Sequence, residues 1–364
     1  MMERKYVLAI NPGSTSTKVA VYQGKEKVIL KKIEHSASDL EKFDKITDQY
    51  EYRLKLIMDW LEEVGIKTSS LVAVVGRGGL LRPMPGGTYL VTEKMIKDLK
   101  AGVQGEHASN LGGMLAKGIA DKEGIKAYIV DPVAVDEFDD IARISGMPEI
   151  PRRSLLHALN IKAVSYRAAE ELGEELKNLN LIVAHLGGGI SVAPVKKGKI
   201  VDVNNANEMG PFSPERTGGL PVGDLIKMCY SGKYTYKEIK NKLRGKGGLV
   251  GYLGTNDAKE VTLMVKNGDK KAKLIFDAMA YQIGKEIGAM ATVLEGKVDR
   301  IILTGGLAYS DLLTDYIKRM VEFIAPVIVY PGEDEMEALN GGVLRVLSGK
   351  EKEKIYENEV RIDD

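Results

Sequence analysis

The chain has 364 residues, of which 44% are hydrophobic and 28% are charged, and its formal net charge is +1. A chain of this length and composition can bury a large core and is long enough for two domains. The balanced charge excludes a nucleic-acid or anionic-membrane surface as the expected binding mode. Cys229 is the single cysteine, which excludes an intrachain disulfide framework.

The sequence contains neither a membrane-spanning run nor the common catalytic motifs. No run approaches the length of about 18 apolar residues that a membrane-spanning helix needs. The opening MMERKYVLAIN carries no separate apolar segment before the first expected strand, so we expect a cytoplasmic location. The motifs GxxxxGK[ST], GxGxxG and HExxH and a zinc-type cysteine cluster do not occur. P-loop kinases, Rossmann dehydrogenases and zinc hydrolases are therefore excluded.

A Gly-rich turn occurs twice, about half a chain length apart. The apolar run YVLAIN (residues 6–11) leads into PGSTST and a second strand, VAVYQG. The run LIVAHL (residues 181–186) meets three glycines before the strand resumes. A third strand is predicted after each copy, VILKKIEH in the first half and IVDVNN (residues 200–205) in the second. Two such units, with backbone N–H groups directed at one cleft, suit a nucleotide triphosphate and indicate a phosphotransferase.

Strands and helices are predicted to alternate after the first turn. The apolar spacing predicts a helix over residues 50–64 and a strand over 71–75. The turn that follows places Arg77 at the carboxyl end of the strand, where open α/β sheets bind ligands. A helix over residues 107–120 leads to a strand that finishes at Asp131.

The second half repeats this alternation. We predict a helix over residues 283–294, a strand over 300–303, a helix over 311–325, a strand over 327–330 and a last helix over 338–347. The charged tail after Gly349 is predicted to be frayed. The polar stretch before residue 180 predicts a domain boundary there.

Five segments carry a resemblance to a known family. They are INPGSTSTKVAVY (10–22), AHLGGGISV (184–192), GPFSPERTGGLP (210–221), GTNDAKEV (254–261) and ILTGGLAYSDLL (302–313). On these segments the chain resembles the acetate and butyrate kinase family, within the actin, sugar-kinase and heat-shock ATPase fold. It is most similar to the butyrate and branched-chain fatty acid kinases.

The resemblance implies a fold class and a domain plan. The fold is α/β, with two domains of a duplicated actin-like (ribonuclease H-like) fold and an interdomain nucleotide cleft. Residues 1–180 would form an N-terminal acyl-substrate domain, completed by a C-terminal helix at about 336–350. Residues 181–335 would form the nucleotide-binding domain. We also expect a homo-oligomer.

The resemblance also implies the reaction. The terminal phosphate of ATP would pass to a short-chain carboxylate such as butyrate or isobutyrate, giving an acyl phosphate and ADP, with Mg²⁺ required. Charge spreads over the equatorial oxygens in such a transfer, so positive side chains and hydrogen-bond donors are needed. The catalytic residues implied are Arg77, His107, Asp131 and His157, and Arg216 is a further candidate. Mg²⁺ would be held by Asp131 and Glu335.

The nucleotide site implied by the resemblance draws on both halves of the chain. The residues that would face the terminal phosphate are Asn11, Ser14, Ser16 and Lys18. Those that would face the inner phosphates are His185, Gly187, Gly188 and Gly189. The adenosine would lie against the turn of Gly305 and Gly306, with Asp257 accepting from the ribose and Lys259 over the adenine face.

The chain departs from the acetate kinase pattern at three places. Gly188 replaces an asparagine, and Lys259 replaces an arginine, which removes a planar stacking surface. The second catalytic arginine of the acetate branch has no counterpart in residues 219–224. Arg216 is a candidate for the same space, so the number of catalytic arginines is left open.

Two other functions remain open at this point. The chain could be an acetate or propionate kinase, or an ATP-dependent switch or assembly protein of the same fold. Three structural readings also stand. His35 is predicted to be structural, Cys229 to lie in the core, and the acidic run 333–337 to be a solvated loop with helix N-terminal charges rather than a metal cage.

Overall fold

The computed structural model describes residues 5–360 and consists of two compact units. The first unit contains residues 5–136 together with 334–360, and the second contains Glu137–Glu333. The boundary predicted at residue 180 is wrong, because the helix at Ala158–Leu172 packs on strands of the second unit. The end of the chain returns to the first unit.

Twelve strands are present in the described residues. In chain order they are β1 Tyr6–Pro12, β2 Ser16–Gln23, β3 Glu26–Glu34, β4 Leu71–Arg77, β5 Thr88–Leu90, β6 Lys126–Val130, β7 Asn180–Leu186, β8 Ile190–Lys196, β9 Lys199–Ile200, β10 Arg300–Gly305, β11 Val327–Pro331 and β12 Lys354–Ile355.

Thirteen α-helices connect these strands in the described residues. They are α1 Ala37–Leu40, α2 Tyr50–Glu63, α3 Glu93–Ala101, α4 Asn110–Glu123, α5 Ala158–Leu172, α6 Val222–Cys229, α7 Tyr236–Leu243, α8 Gly248–Leu253, α9 Ala258–Lys266, α10 Lys270–Val293, α11 Asp311–Val321, α12 Glu335–Leu347 and α13 Tyr356–Glu359. Short 3₁₀ turns occupy Ile46–Gln49, Thr68–Ser70, Asp140–Arg143, Leu176–Asn178 and Gly306–Tyr309. None of the helices between residues 5 and 360 is long and apolar enough to cross a membrane.

Five strands of the first sheet, β6-β4-β1-β2-β3, follow the same order as the five strands of the second. The first runs β12-β5-β6-β4-β1-β2-β3, and the second runs β11-β10-β7-β8-β9. In each sheet the first two strands of the unit form an antiparallel hairpin, and the next long strand pairs parallel with the first. This common order confirms the duplicated α/β architecture. It also places the two Gly-rich turns at equivalent hairpins.

The third strand of the second sheet is much shorter than predicted. The strand expected over residues 200–205 is only Lys199–Ile200. Beyond it, the side chain of Asn204 takes over the pairing with β8: Oδ1 accepts from Val192 N at 2.6 Å and Nδ2 donates to Ile190 O at 2.9 Å. Side-chain bonds replace the backbone ladder, which strand periodicity does not reveal.

The segment after Gly349 is ordered, so the prediction of a frayed tail is wrong for its described part. β12 pairs parallel with β5. Tyr356 is fully buried and its hydroxyl donates to Asp98 Oδ2 at 2.9 Å. The tail therefore completes the edge of the first sheet, and its last four residues lie outside the described range.

Two helices and one cysteine also differ from prediction. α10 begins at Lys270, because Ala272, Phe276 and Met279 continue its buried face toward the N-terminus. α12 begins at Glu335, so the acidic run caps a helix, and the Asp334 side chain accepts from Glu337 N at 3.0 Å. Cys229 is exposed, because α6 buries none of its residues.

Candidate functional site

The first Gly-rich turn joins β1 to β2 in the first unit. It is closed by a hydrogen bond of 2.7 Å from Gly13 N to Ser16 O. Ser14 and Lys18 are exposed, and Ser16 is half-buried. Three of the residues predicted to face the terminal phosphate therefore lie in or next to one tight turn, with polar groups at the surface.

Asn11, the fourth residue of that set, belongs to a cluster at the carboxyl ends of β1 and β4. Asn11 Nδ2 donates to Glu335 Oε2 at 2.5 Å. Arg77 Nη1 lies 2.9 Å from Glu335 Oε1, although this buried nitrogen has no partner with hydrogen-bond geometry among the described residues. The structure thus brings together a predicted phosphate ligand, a predicted catalytic arginine and a predicted metal ligand.

Close packing of α4 on β4 fixes the backbone of Arg77. A Cβ added to Gly112 would lie 2.2 Å from Arg77 O, and one added to Gly76 would lie 2.0 Å from Gly112 O. Glycine is therefore required on both elements for this approach. The guanidinium is left only 15% exposed, next to the Glu335 carboxylate.

His107 precedes α4, and its ring is held by Ser109. Ser109 N donates to His107 Nδ1 at 3.2 Å, and the Ser109 hydroxyl lies 2.8 Å from the same nitrogen. Partial burial of the ring and the positive charge of Arg77 lower the pKa of His107. The residue as a whole is nevertheless exposed. A neutral His107 then carries its proton on Nε2, which can donate a hydrogen bond.

Asp131 follows β6 and is buried in a strained backbone conformation. Its φ is 37°, which non-glycine residues seldom adopt. Asp131 Oδ1 accepts from Gly87 N at 2.7 Å, and Asp131 N donates to Gly87 O at 3.0 Å. These reciprocal bonds hold the carboxylate at the strand end.

The carboxylates of Asp131 and Glu335 have the chemistry that Mg²⁺ requires. This ion is usually bound by one or two carboxylates together with phosphate oxygens and water. Within residues 5–360 no group of three or more His, Cys, Asp or Glu side chains could hold a metal ion by itself. A magnesium site here would therefore take most of its ligands from the nucleotide.

Two histidines of the second unit are stacked. The rings of His157 and His185 are 3.8 Å apart between centroids and inclined by 11°. His157, at the N-terminus of α5, has Nδ1 2.9 Å from Ser191 Oγ. His185 is fully buried on β7, with Nδ1 2.7 Å from Asn160 Oδ1. Strand and helix residues thus fix the orientation of both rings.

The second Gly-rich turn opens onto a pocket of about 220 Å³. The turn is closed by a bond of 3.2 Å from Gly187 N to Gly189 O. The pocket is lined by Gly187, Gly188, Pro214, Glu215, Asn256, Gly306, Leu307 and Glu333. Three of these residues, Gly187, Gly188 and Gly306, were predicted to bind nucleotide.

Arg216 lies against this turn. A Cβ added to Gly189 would be 2.1 Å from Arg216 Nη1, so the guanidinium occupies the space that glycine leaves open. Arg216 Nη1 donates to Ala206 O at 2.9 Å. Burial and the neighbouring Arg244 lower the pKa of Arg216. The structure therefore places the candidate second arginine beside the second turn.

The adenosine-site predictions divide into two groups. Gly305 ends β10 with φ of 90°, and its N–H and C=O pair reciprocally with Gly332 at 3.1 and 2.9 Å. Asp257 and Lys259 are exposed, and neither lines the pocket, whereas Asn256 does. Asp257 caps α9 by accepting from Lys259 N at 2.8 Å.

Several polar residues of the site escaped the sequence analysis. Asn160 lies three residues after His157 and orients His185. Glu215 precedes Arg216 and lines the pocket. Arg53 holds the first turn from beneath. The helical spacing of His157 and Asn160 was a usable signal, but nothing in the sequence linked Arg53 to a turn 40 residues away.

Comparison with known proteins identifies the family. Residues 150–321 match the model of the Acetokinase family. Probable butyrate kinase 2 of Caldanaerobacter subterraneus subsp. tengcongensis is 59% identical over 350 residues, which cover 96% of this chain and 99% of the relative. Butyrate kinase 2 of Clostridium acetobutylicum is 56% identical over 351 residues, with the same coverage. The chain belongs to the acetokinase family.

The solved structures agree with this membership at the level of the fold. A crystal structure of Porphyromonas gingivalis acetate kinase has a TM-score of 0.75 and 19% sequence identity, covering 93% of this chain and 99% of that one. The butyrate kinase relatives confirm the predicted family, and the solved structure confirms the α/β actin-like fold class. The individual site residues stay predictions.

Proposed function

We propose that the chain transfers the terminal phosphate of ATP to butyrate or isobutyrate, giving an acyl phosphate and ADP. The observation that carries the proposal is identity of 56–59% over 96% of the chain to relatives named butyrate kinase or probable butyrate kinase. The geometry of the site agrees with phosphoryl transfer, because it supplies cations, neutral hydrogen-bond donors and Gly-rich turns. We also propose that the enzyme acts in the cytoplasm as a homo-oligomer.

The first unit supplies groups suited to the transition state. Arg77 has a planar guanidinium that can make two parallel bonds to a carboxylate or a phosphoryl group. Glu335 lies against it, so an incoming anion would compete for the same cation. His107 would donate from Nε2 to the transferring oxygens, and the lowered pKa, caused by burial and by Arg77, favours its neutral form.

The second unit supplies groups suited to the nucleotide. The backbone of Gly187 and Gly188 lines the pocket without side chains, which lets phosphates approach closely. Arg216, held beside Gly189, would stabilise the charge of the phosphates. His157 would donate to the transferring group, with its ring fixed by the stack on His185 and by Ser191.

Asp131 and Glu335 would hold Mg²⁺, which would neutralise part of the charge on the phosphate oxygens. The bonds of Gly87 hold the Asp131 carboxylate at the end of β6. Glu335 is held by Asn11. Both carboxylates are therefore positioned before any ligand arrives.

The other functions have less support. The likeness to acetate kinase structures rests on 19% identity and concerns the fold alone, so it does not favour acetate as substrate. A switch or assembly protein has no use for the cluster of Arg77, Glu335 and Asn11 in the first unit or for the stacked histidine pair in the second. The relatives favour the carboxylate kinase.

The test is the identity of the product. Purified protein with MgATP and butyrate is incubated with hydroxylamine, which traps acyl phosphate as hydroxamate, and ADP is measured in parallel. We expect one hydroxamate per ADP, dependent on butyrate. ADP release without hydroxamate would contradict the proposal and favour an ATP-dependent switch.

A further inference from the structure

Arg53, on α2, is a buried cation beneath the first Gly-rich turn. Its residue exposure is only 1%. It forms no ion pair with any carboxylate of the described residues, which is unusual because buried charges are normally paired. Hydrogen bonds from its N–H groups compensate for the burial of this charge.

The guanidinium bonds almost entirely to the turn. Nη1 donates to Gly13 O at 2.8 Å, to Thr17 Oγ1 at 3.0 Å and to Ser16 O at 3.3 Å. Nη2 donates to Ser14 O at 3.2 Å. One side chain thus binds three backbone carbonyls of the turn, those of Gly13, Ser14 and Ser16.

Gln49 fixes the angle of the guanidinium. Its Oε1 accepts from Arg53 Nε at 3.0 Å and from Nη2 at 2.7 Å. Gln49 lies one helical turn before Arg53, at the entry to α2. The planar fork of arginine is required for this pattern, because a lysine ammonium cannot reach carbonyls and an amide in one plane.

The inward carbonyls leave two amides facing outward. In a planar trans peptide the C=O and the following N–H point in opposite directions. Since Gly13 O and Ser14 O point at Arg53, the N–H groups of Ser14 and Thr15 point away from it. Both residues are exposed, and neither amide donates a hydrogen bond within residues 5–360. Successive free amides of this kind form an anion-binding concavity.

The charge of Arg53 adds to the effect of these amides. Burial lowers the pKa of Arg53 to about 10, so the side chain stays protonated at neutral pH. A cation in a low-dielectric position behind the turn attracts an anion in front of it more strongly than a solvated one. The turn is therefore shaped and charged by the same side chain.

A buried histidine completes the arrangement on the far side. Thr17 Oγ1 accepts from Arg53, and His35 Nε2 lies 2.8 Å from the same oxygen. Arginine only donates, so the Thr17 hydroxyl is free to donate to a neutral His35. Burial and the charge of Arg53 lower the pKa of His35 to about 4, which keeps this bond intact at neutral pH.

We propose that Arg53 is the positioning residue that holds the first turn in the shape that binds the terminal phosphate, acting through the carbonyls of Gly13, Ser14 and Ser16. The inference rests on the proposed function, because it takes the bound anion to be the phosphate that is transferred. It predicts that Arg53 distinguishes ATP from ADP, which lacks that phosphate.

The test compares two ligands by calorimetry on the full chain with Mg²⁺: adenylyl imidodiphosphate, a non-hydrolysable ATP analogue, and ADP. In Arg53→Lys we expect the affinity for the analogue to fall about tenfold, the scale of a lost hydrogen bond to a charged group, while the affinity for ADP changes less than about twofold. Thr17→Val removes one bond of Arg53 and should lower the analogue's affinity by about threefold.

Arg345→Lys is the matched control. Arg345 Nε donates to Glu351 Oε2 at 2.7 Å in the same unit, and its side chain is 18% exposed. We expect a similar loss of melting temperature with an unchanged ratio of the two affinities. Thr17→Val serves as the deciding variant if Arg53→Lys does not fold.

The outcomes separate the inference from the proposed function. A wild-type ratio of affinities in folded Arg53→Lys or Thr17→Val would overturn the role of Arg53 alone. Equal losses for both ligands would also overturn it, because a merely structural arginine would weaken both. Failure of the wild-type protein to bind either nucleotide would overturn the proposed function, and the inference with it.

Discussion

The two Gly-rich turns occupy equivalent hairpins but are supported in different ways. The first is held from beneath by a buried arginine that collects its carbonyls. The second is surrounded on its open side by side chains, with Arg216 against Gly189 and Glu215 3.4 Å from a Cβ placed on Gly188. The guanidinium of the first turn lies beneath its carbonyls, whereas that of the second turn occupies the space beside Gly189.

This difference shows what a duplicated fold conserves and what it leaves free. The order of five strands is common to both sheets, because the hairpin and its parallel neighbour are required to form the core. The residue that supplies charge to the turn is not part of that core pattern. Each half could therefore acquire its own arginine, one on a helix and one on a loop.

The largest loss of activity is expected from a substitution of Arg77, in the first unit. Arg77→Ala should lower kcat by at least about a hundredfold, the scale for loss of a charged transition-state donor. It should also raise the pKa of His107, because the charge of Arg77 helps to lower it. Steady-state kinetics and NMR titration of His107 measure both.

The control for this variant is Arg82→Ala. Arg82 Nε donates to Asp98 Oδ2 at 3.2 Å in the same unit, and its loss should leave kcat within about threefold, as expected away from the reacting atoms. Near-normal turnover in folded Arg77→Ala would remove Arg77 from the transition state.

The second effect tests whether Arg216 serves the second turn. In Gly189→Ala the new Cβ would lie 2.1 Å from Arg216 Nη1 and must displace the guanidinium. We expect kcat to fall about tenfold, since a positioned charged donor is lost. Gly288→Ala, on α10 and not among the residues that line the pocket, is the matched control, because its Cβ would meet nothing within 4 Å. Equal kinetics of the two variants would show that Arg216 does not act here.

The third prediction asks whether Asp257 only caps α9 or also contacts the ribose of ATP. Asp257→Ala should cost about 1 kcal/mol of stability through loss of the α9 cap, and as a ribose contact it should raise the KM for ATP with kcat unchanged. Asp269→Ala removes the cap of α10, where Asp269 Oδ1 accepts from Lys271 N at 2.9 Å. If both variants lose stability and neither changes KM, Asp257 is only a cap.

The smallest effect concerns pH and the support of the first turn. His35 is neutral in the folded protein, with a pKa of about 4 against an ordinary 6.5, chiefly through burial and then through Arg53, opposed by Glu34 and Asp39. Its contribution to stability is complete above pH 6.5 and declines as the pH falls toward 4. His35→Gln should melt with a shallower pH dependence across that interval. An identical slope would show that His35 does not contribute.

The sequence predicted the strands and turns of the site better than the side chains that hold them in place. Apolar periodicity and Gly-rich turns located β1, β2, β7 and β8, because these features are local. Arg77 and Asp131 were found because both follow a buried strand. The resemblance implied that a C-terminal helix completes the first domain, but nothing local in the sequence indicated that Glu335 would contact Arg77.

The errors have a common physical cause. The boundary at residue 180 was wrong because a polar stretch does not reveal on which sheet α5 packs. The tail after Gly349 looked frayed because it is charged, although Tyr356 and Val360 are buried in the core. In both cases long-range packing overrides local composition. Arg53 was missed for the same reason.

We expect this site to phosphorylate butyrate, a four-carbon acid, in preference to acetate, a two-carbon acid. The direct measurement is kcat/KM for butyrate and for acetate with the same purified protein at saturating MgATP. Each methylene buried in a matching pocket is worth about 0.8 kcal/mol, so butyrate should be favoured roughly tenfold. A kcat/KM for butyrate lower than that for acetate would contradict this preference.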